Sequence, residues 1–324
     1  MRALVWYGDD RLELEELAEP RPEEGEVVFE VELAGVCGSD LHPYRGHPGP
    51  RRPPLVLGHE AVGSVRSRPG RFAVFPLVVC GRCRACLRGE ENLCERRGLL
   101  GLDRQGVFAE RVNVGESTLV PVPDGLDSRL AVLAEPLATS LSALRVDRVE
   151  AGETLLVVGA GPIGLLAVYA AARRGIRVVC AEPVAERRAL AARLGAEDVL
   201  ADAATFPAGS ADAALDAVGI EATWRACVAS VRPGGRVALV GLGQAEGQMP
   251  AADLVRRGIG LRGHYAYTRD DFAGALALLG ESPPSSDWLT VLALADGAEG
   301  FRRLVSEPGS VTKLLLAPRL MAGG

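Results

Sequence analysis

Lysine is nearly absent from this chain. Lys313 is the only one in 324 residues, so the other 35 of its 36 basic side chains are arginine. Set against 42 acidic residues, they leave a net charge of −6, which excludes a nucleic-acid binder that depends on a broad basic surface. Cysteine is also scarce: seven in a chain of this length cannot form a disulfide scaffold. Arginine in place of lysine, with two Asn, three Gln and three Met, fits a thermophilic source or a codon bias equally well. It suggests no part for the arginine excess in a reaction. Membrane-length apolar runs are missing too. Thr154 to Ala172 carries no charge, but Gly159-Ala160-Gly161-Pro162-Ile163-Gly164 would break a spanning helix. The run divides instead into a strand, a glycine turn and a helix ending at Arg173-Arg174. No basic stretch followed by an apolar one opens the chain, so no secretory leader is expected. The expectation is a cytoplasmic protein with reduced thiols, no membrane association and no nucleic-acid partner.

What is present is enough apolar surface for a real core: 48% of residues are hydrophobic, and the length suggests two domains. Before Pro136 the texture is strands, Pro and Gly with few helical periods. Strands are expected at Val27–Ala34, Ala61–Val65 and Phe72–Val79. From Leu155 strand and helix alternate, with helices expected at Pro162–Arg173, Ala185–Leu194 and Thr223–Val231. Such alternation implies an α/β fold with a parallel sheet covered on both faces. The last sixty or so residues hold a helix at Arg269–Leu279 and a closing strand at Val311–Leu316.

Cys80, Cys83, Cys86 and Cys94 are spaced C-x2-C-x2-C-x7-C. Four thiolates so close in sequence suit one tetrahedral zinc, closed and therefore structural. Bacterial iron–sulfur proteins also begin C-x2-C-x2-C. Their fourth cysteine, however, follows after three residues and precedes Pro, whereas here it follows after seven and precedes Glu95. Arg82, Arg84 and Arg88 are expected to offset the excess negative charge. A second set is more dispersed: Cys37-Gly-Ser39-Asp-Leu-His42, then Gly58-His59-Glu60, then Glu135-Pro-Leu. Each is weak alone. Together they supply one sulfur, one imidazole and carboxylates, the donors of a catalytic zinc with one position open. The glycine turn Gly159–Gly164 follows a strand, opens a helix and is trailed by Glu182 at the end of the next strand. This is the context in which a backbone cradles pyrophosphate and a carboxylate accepts from a ribose hydroxyl. Glu182 would repel a 2′-phosphate and so favours NAD over NADP, with Arg187 and Arg188 as a reason for care.

These motifs, in this order, resemble the zinc-dependent medium-chain dehydrogenase/reductase family, the alcohol dehydrogenase superfamily. Glu135-Pro-Leu points to its polyol and threonine dehydrogenase branch. The resemblance covers essentially the whole chain. It implies a GroES-like, β-rich catalytic domain over residues 1–138 with the zinc lobe at 80–94. A Rossmann NAD-binding domain over 139–265 follows, then a segment 266–324 that returns to the catalytic domain. It implies two zinc ions per chain, one catalytic on Cys37, His59 and Glu60 or Glu135, and one structural on the four cysteines. Ser39 and His42 match the family's proton relay; Thr139, Val240 and Gly241 match its nicotinamide contacts; Gly159, Gly161, Pro162, Ile163 and Gly164 match its pyrophosphate turn. The implied reaction is NAD-dependent oxidation of a secondary alcohol, a polyol or sugar derivative, by a homodimer or homotetramer. Threonine-type oxidation is the alternative, and a non-catalytic zinc-stabilised nucleotide binder is another. Two departures stand out. The hairpin between Gly63 and Phe75 is shortened to Arg66-Ser-Arg-Pro-Gly-Arg-Phe72, without the Asp of the family's Pro-Gly-Asp-Arg-Val, and the C-terminal segment is terse. His47 and His264 match no motif and are expected at the surface or in packing.

Overall fold

The computed structural model describes residues 1–47, 49–307, 309 and 311–320. It contains two compact units: Met1–Glu135 with the segment from Thr268 onward, and Pro136–Tyr267. The boundary falls inside one helix, Ala134–Val146, between Glu135 and Pro136.

The first unit is built on a sheet in the order Leu119–Pro121, Arg68–Val74, Glu60–Val65, Glu26–Gly35, Lys313–Ala317 and Leu289–Ala293. Arg111–Gly115 also pairs with Glu26–Gly35. The pattern in Glu26–Gly35 explains its placement: Phe29 and Val31 point to the core while Glu32 points to solvent. Its last three residues, Leu33 to Gly35, are all buried after a register shift between Val31 and Leu33. That shift sets Gly35 opposite Glu60 on one side and Leu315 on the other. Phe29, Phe108, Trp6 and Phe301 anchor the core, with Phe301 edge-on to Phe108 at 5.9 Å. The expected strand over Phe72–Val79 is two pieces, Arg68–Val74 and Leu77–Val78, because Pro76 has no amide to give a ladder. The shortened hairpin turns through Arg66 and Ser67 alone, with Val65 paired to Arg68.

The second unit is a six-stranded parallel sheet in the order Asp198–Leu200, Arg177–Ala181, Thr154–Val158, Ala211–Asp216, Val231–Leu239 and Gly260–Gly263. The order reverses between Arg177–Ala181 and Ala211–Asp216, on either side of Thr154–Val158, so the sheet is doubly wound as the alternation implies. Helix Pro162–Arg173 starts where the sequence places it, because proline suits a first helical position. Eight successive residues from Gly164 to Ala171 are buried, which accounts for its near-continuous apolar run. Helix Ala134–Val146 has no counterpart among the expected helices; Pro136 stands in its first turn, where the missing amide costs nothing. No helix among the described residues is long and apolar enough to cross a membrane.

Candidate metal and dinucleotide sites

Cys80, Cys83, Cys86 and Cys94 converge in the lobe of the first unit, all four free thiols. Cys83 and Cys86 sulfurs are 3.5 Å apart, and those of Cys80 and Cys86 are 4.0 Å apart. A disulfide needs about 2 Å. Zn–S bonds of about 2.3 Å around a tetrahedral ion place sulfurs about 3.8 Å apart, so the cluster fits zinc. The backbone amide of Arg82, that of Cys83 and the Arg96 side chain lower the Cys80 thiol to about 5. Burial and its neighbouring thiols push Cys86 up to about 12. Arg96 is the side chain bonded to the Cys80 sulfur, Arg82 contributes its amide, and Arg88 lies near Glu90 at 3.9 Å.

The dispersed set also comes together. Cys37 caps the helix Gly38–Tyr44, and its amide donates to Asp40 Oδ2 at 3.1 Å. His59 precedes Glu60, the first residue of strand Glu60–Val65. One donor atom each from Cys37, His59 and Glu60 lie within 4.8 Å of one another. Glu135, in the first turn of its helix, brings Oε1 to 4.0 Å from His59 Nε2. His59, Glu60 and Asp40 are buried. On the far side of the imidazole, Asp40 Oδ1 lies 3.6 Å from His59 Nδ1, and neither atom has a hydrogen-bond partner among the described residues. Burial works against charge on His59, but the Asp40 carboxylate outweighs it and raises the imidazole well above its usual range. A metal ion on Nε2 would replace a proton in that position, so the donor set and its orphaned atoms fit zinc. Ser39 and His42 stand three apart on one helix face. His42 is half-buried, and burial followed by Arg51, Arg45 and His47 lowers its pKa.

Sequence reasoning missed Lys313. The lone lysine is 1% exposed, and its Nζ donates to Glu60 Oε1 at 2.7 Å and to the Val36 carbonyl at 2.9 Å. Glu60 Oε2 lies 2.5 Å from the same ammonium, in ion-pair rather than hydrogen-bond geometry. Burial works against the charge, yet Glu60 and then Cys37 hold the Lys313 pKa above the ordinary value. Gly35 makes room for this pair, since a Cβ there would sit 2.0 Å from Glu60 Oε2. The composition flagged Lys313 as unique; only the pairing of Lys313–Ala317 against Glu26–Gly35 brings it to the metal set.

In the second unit, Gly159 takes φ +93° and Gly161 caps helix Pro162–Arg173. A Cβ on Gly164 would meet the Gly159 carbonyl at 1.8 Å, so the helix packs on the turn only without one. A Cβ on Gly161 would meet nothing within 4 Å, so this N-cap faces open space at a helix N-terminus, where an anionic ligand is favoured. Glu182 follows strand Arg177–Ala181 and is buried. Its Oε2 accepts from the Ala160 amide at 2.7 Å and its Oε1 from Val184 at 3.0 Å. Lone pairs remain on both oxygens for a further donor. Arg188 is turned away, donating to the Glu182 and Pro183 carbonyls at 2.7 Å each. Thr139 is half-buried beside Ser140, whose hydroxyl donates to the Ile163 carbonyl at 2.9 Å. The amides of Val240 and Gly241 donate to the Asp216 carbonyl at 3.0 and 2.9 Å. Asp216, also missed, accepts from the amides of Val218 and Gly219 and so fixes that strand end. His264 is a packing residue, its Nε2 3.0 Å from Asp147 Oδ2.

A family model described as alcohol dehydrogenase GroES-like domain matches residues 23–124, and one described as zinc-binding dehydrogenase matches residues 162–281. The (R,R)-butanediol dehydrogenase of Bacillus subtilis (strain 168) is 32% identical over 98% of this chain and 100% of its own. The chain belongs to the zinc-dependent alcohol dehydrogenase family. The L-galactonate-5-dehydrogenase of Escherichia coli (strain K12) is 33% identical over 83% of this dehydrogenase and 84% of its own length. The solved acetophenone reductase from Geotrichum candidum NBRC 4597, in complex with NAD, superposes with a TM-score of 0.90 at 28% identity. It covers 98% of this chain and 96% of that one. This dehydrogenase is therefore an oxidoreductase of the zinc-binding alcohol dehydrogenase kind, with a GroES-like domain and a Rossmann sheet. The relatives are named as dehydrogenases, so the non-catalytic alternative is not favoured.

Proposed function

We propose that this dehydrogenase oxidises a secondary alcohol of a polyol or sugar-derived substrate at a zinc held by Cys37, His59 and one of Glu60 and Glu135. The observation that carries the reading is the meeting of the Cys37 thiol with the buried His59, Glu60 and Glu135, from positions almost a hundred residues apart. When bound, zinc lowers the pKa of an alcohol hydroxyl and nicotinamide accepts the hydride. The chain's residues supply the rest. Asp40 orients the His59 ring from behind. Ser39 takes the hydroxyl proton and His42 passes it outward; the lowered pKa leaves His42 neutral and able to accept at pH 7. Gly159, Gly161, Pro162, Ile163 and Gly164 hold the pyrophosphate, Glu182 the adenosine ribose, and Thr139, Val240 and Gly241 the nicotinamide. The carboxylate of Glu182 favours NAD over NADP. Cys80, Cys83, Cys86 and Cys94 hold a second, structural zinc. The protein works as a cytoplasmic homodimer or homotetramer, and threonine-type oxidation is one arm of its substrate test.

Metal analysis tests the site directly. Two zinc ions per chain are expected, falling to one in Cys37→Ala with loss of NADH formation. One zinc in the wild type, unchanged in Cys37→Ala, would reject the catalytic metal. Glu182→Ala is expected to raise the KM for NAD, and an unchanged value would mean that the adenosine ribose lies elsewhere.

A further inference from the structure

We propose that Asp216 is a positioning residue that locks residues 217–219 as a spacer between the glycine turn and Val240 and Gly241, and so sets where the nicotinamide is held relative to the pyrophosphate. The inference rests on the dinucleotide site proposed above and concerns the second unit alone.

Three observations carry it. First, Asp216 stands between the two parts of the site. It ends strand Ala211–Asp216 and is fully buried. In register it lies beside Val158, which precedes the glycine turn, and beside Leu239, which precedes Val240. Ligands of an open parallel sheet bind at the carboxyl ends of its strands, and this acid is at that end. Second, Asp216 bonds both neighbouring segments. Its carboxylate accepts from the Val218 amide at 2.9 Å and the Gly219 amide at 3.0 Å. Thr223 and Trp224, near the start of helix Glu221–Ser230, add side-chain donors to it. Its main-chain carbonyl takes the amides of Val240 and Gly241. One residue thus fixes the spacer with its side chain and the nicotinamide segment with its backbone. Third, the packing has no slack. A Cβ on Gly159 would lie 2.5 Å from Val218 Cγ2, and one on Gly219 would lie 2.2 Å from the Gly241 carbonyl carbon. One on Gly241 would lie 2.3 Å from the carbonyl carbon of Val218. The amides of Gly243 and Gln244 donate back to the Val218 and Gly219 carbonyls at 3.0 and 2.7 Å. Backbones in direct contact pass a displacement on, so movement of the spacer reaches the glycine turn on one side and Gly241 on the other.

The test uses the full-length protein and two probes: NADH, and ADP-ribose, which carries the adenosine and both phosphates without the nicotinamide. Binding of each is measured by calorimetry, and the emission of bound NADH reports the surroundings of its ring. Asp216→Asn keeps the shape of the side chain and removes one of its two acceptor oxygens. The Kd for NADH is expected to rise about tenfold, the equivalent of one hydrogen bond to a charged group. ADP-ribose affinity is expected to stay as in the wild type, and the emission of bound NADH to shift towards that of free NADH. Gly243→Ala leaves Asp216 intact but puts a methyl 2.7 Å from the Val218 carbonyl oxygen, at the same seam. It is expected to give the same split between the two probes, which keeps the proposal testable should Asp216→Asn fail to fold. Equal weakening of NADH and ADP-ribose would overturn the proposal, because Asp216 would then serve the fold alone. So would unaltered NADH affinity and emission in either variant. An ADP-ribose affinity that Glu182→Ala leaves unchanged would instead reject the underlying dinucleotide site.

Discussion

At the scale of single residues, the site is a set of buried polar atoms whose partners are fixed from behind. Asp40 is the clearest case: it bonds the Cys37 amide and stands 3.6 Å from His59 Nδ1, so it serves both segments of the metal set. Asp40→Ala is expected to weaken metal binding at the Cys37 site by about 10- to 100-fold, measured by chelator competition. An unchanged affinity would leave the carboxylate with no part in orienting His59. The two cysteines outside the metal sets are buried core thiols. Burial pushes Cys180 up to about 12 and Cys227 well above its usual range. Neither is expected to react with a thiol reagent in the native protein at pH 8, while both react after denaturation; peptide mapping of the label checks this. Residue types and spacing made both metal sets visible in the sequence, because a thiol four times in fifteen residues has few uses. Lys313 was not visible as a site residue. Its partner Glu60 is 253 positions away, and only sheet register joins them.

At the scale of elements, legibility followed locality. Helix Pro162–Arg173 appears with the bounds the sequence suggests, since apolar run, glycine turn and proline start all agree. Helix Ala134–Val146 was hidden because its proline reads as a break unless it is known to stand in the first turn. Strand Leu289–Ala293 was hidden because its burial depends on pairing with Lys313–Ala317. The glycine turn gives a sharp prediction. Gly164→Ala places a methyl 1.8 Å from the Gly159 carbonyl, so it is expected to weaken NADH binding and lower the melting temperature together. Unaltered binding in a fluorescence titration would mean that the turn tolerates displacement. A second element-scale prediction concerns the start of strand Ala211–Asp216. Asp212 accepts from the Thr154 amide at 2.9 Å and from Arg232 at 2.7 Å, and these contacts lower its pKa. A lowered folded-state pKa contributes stability above the unfolded value of about 4 that is lost as pH falls through the folded one. Asp212→Asn is expected to cost on the order of 1 kcal/mol at pH 7, with the gap closing in acid. A gap independent of pH in denaturant melts would contradict that linkage.

At the scale of the whole molecule, composition excluded classes and motif order supplied the activity. The shortage of lysine, which composition alone gave no reason to connect with chemistry, leads back to the metal set through Lys313. Both chain ends build the first unit, so the C-terminal strand delivers that lysine to residues near the N-terminus. The most direct test of the account is the rate of NADH formation from a panel of a 2,3-diol, a hexitol, a sugar acid, threonine and a primary alcohol. It should be run on the wild type and on Cys37→Ala that retains its other metal. The expected result is rapid NAD-dependent oxidation of a secondary alcohol among the polyol and sugar substrates, falling to background in Cys37→Ala. Undiminished oxidation by Cys37→Ala, or no NADH from any secondary alcohol, would contradict it.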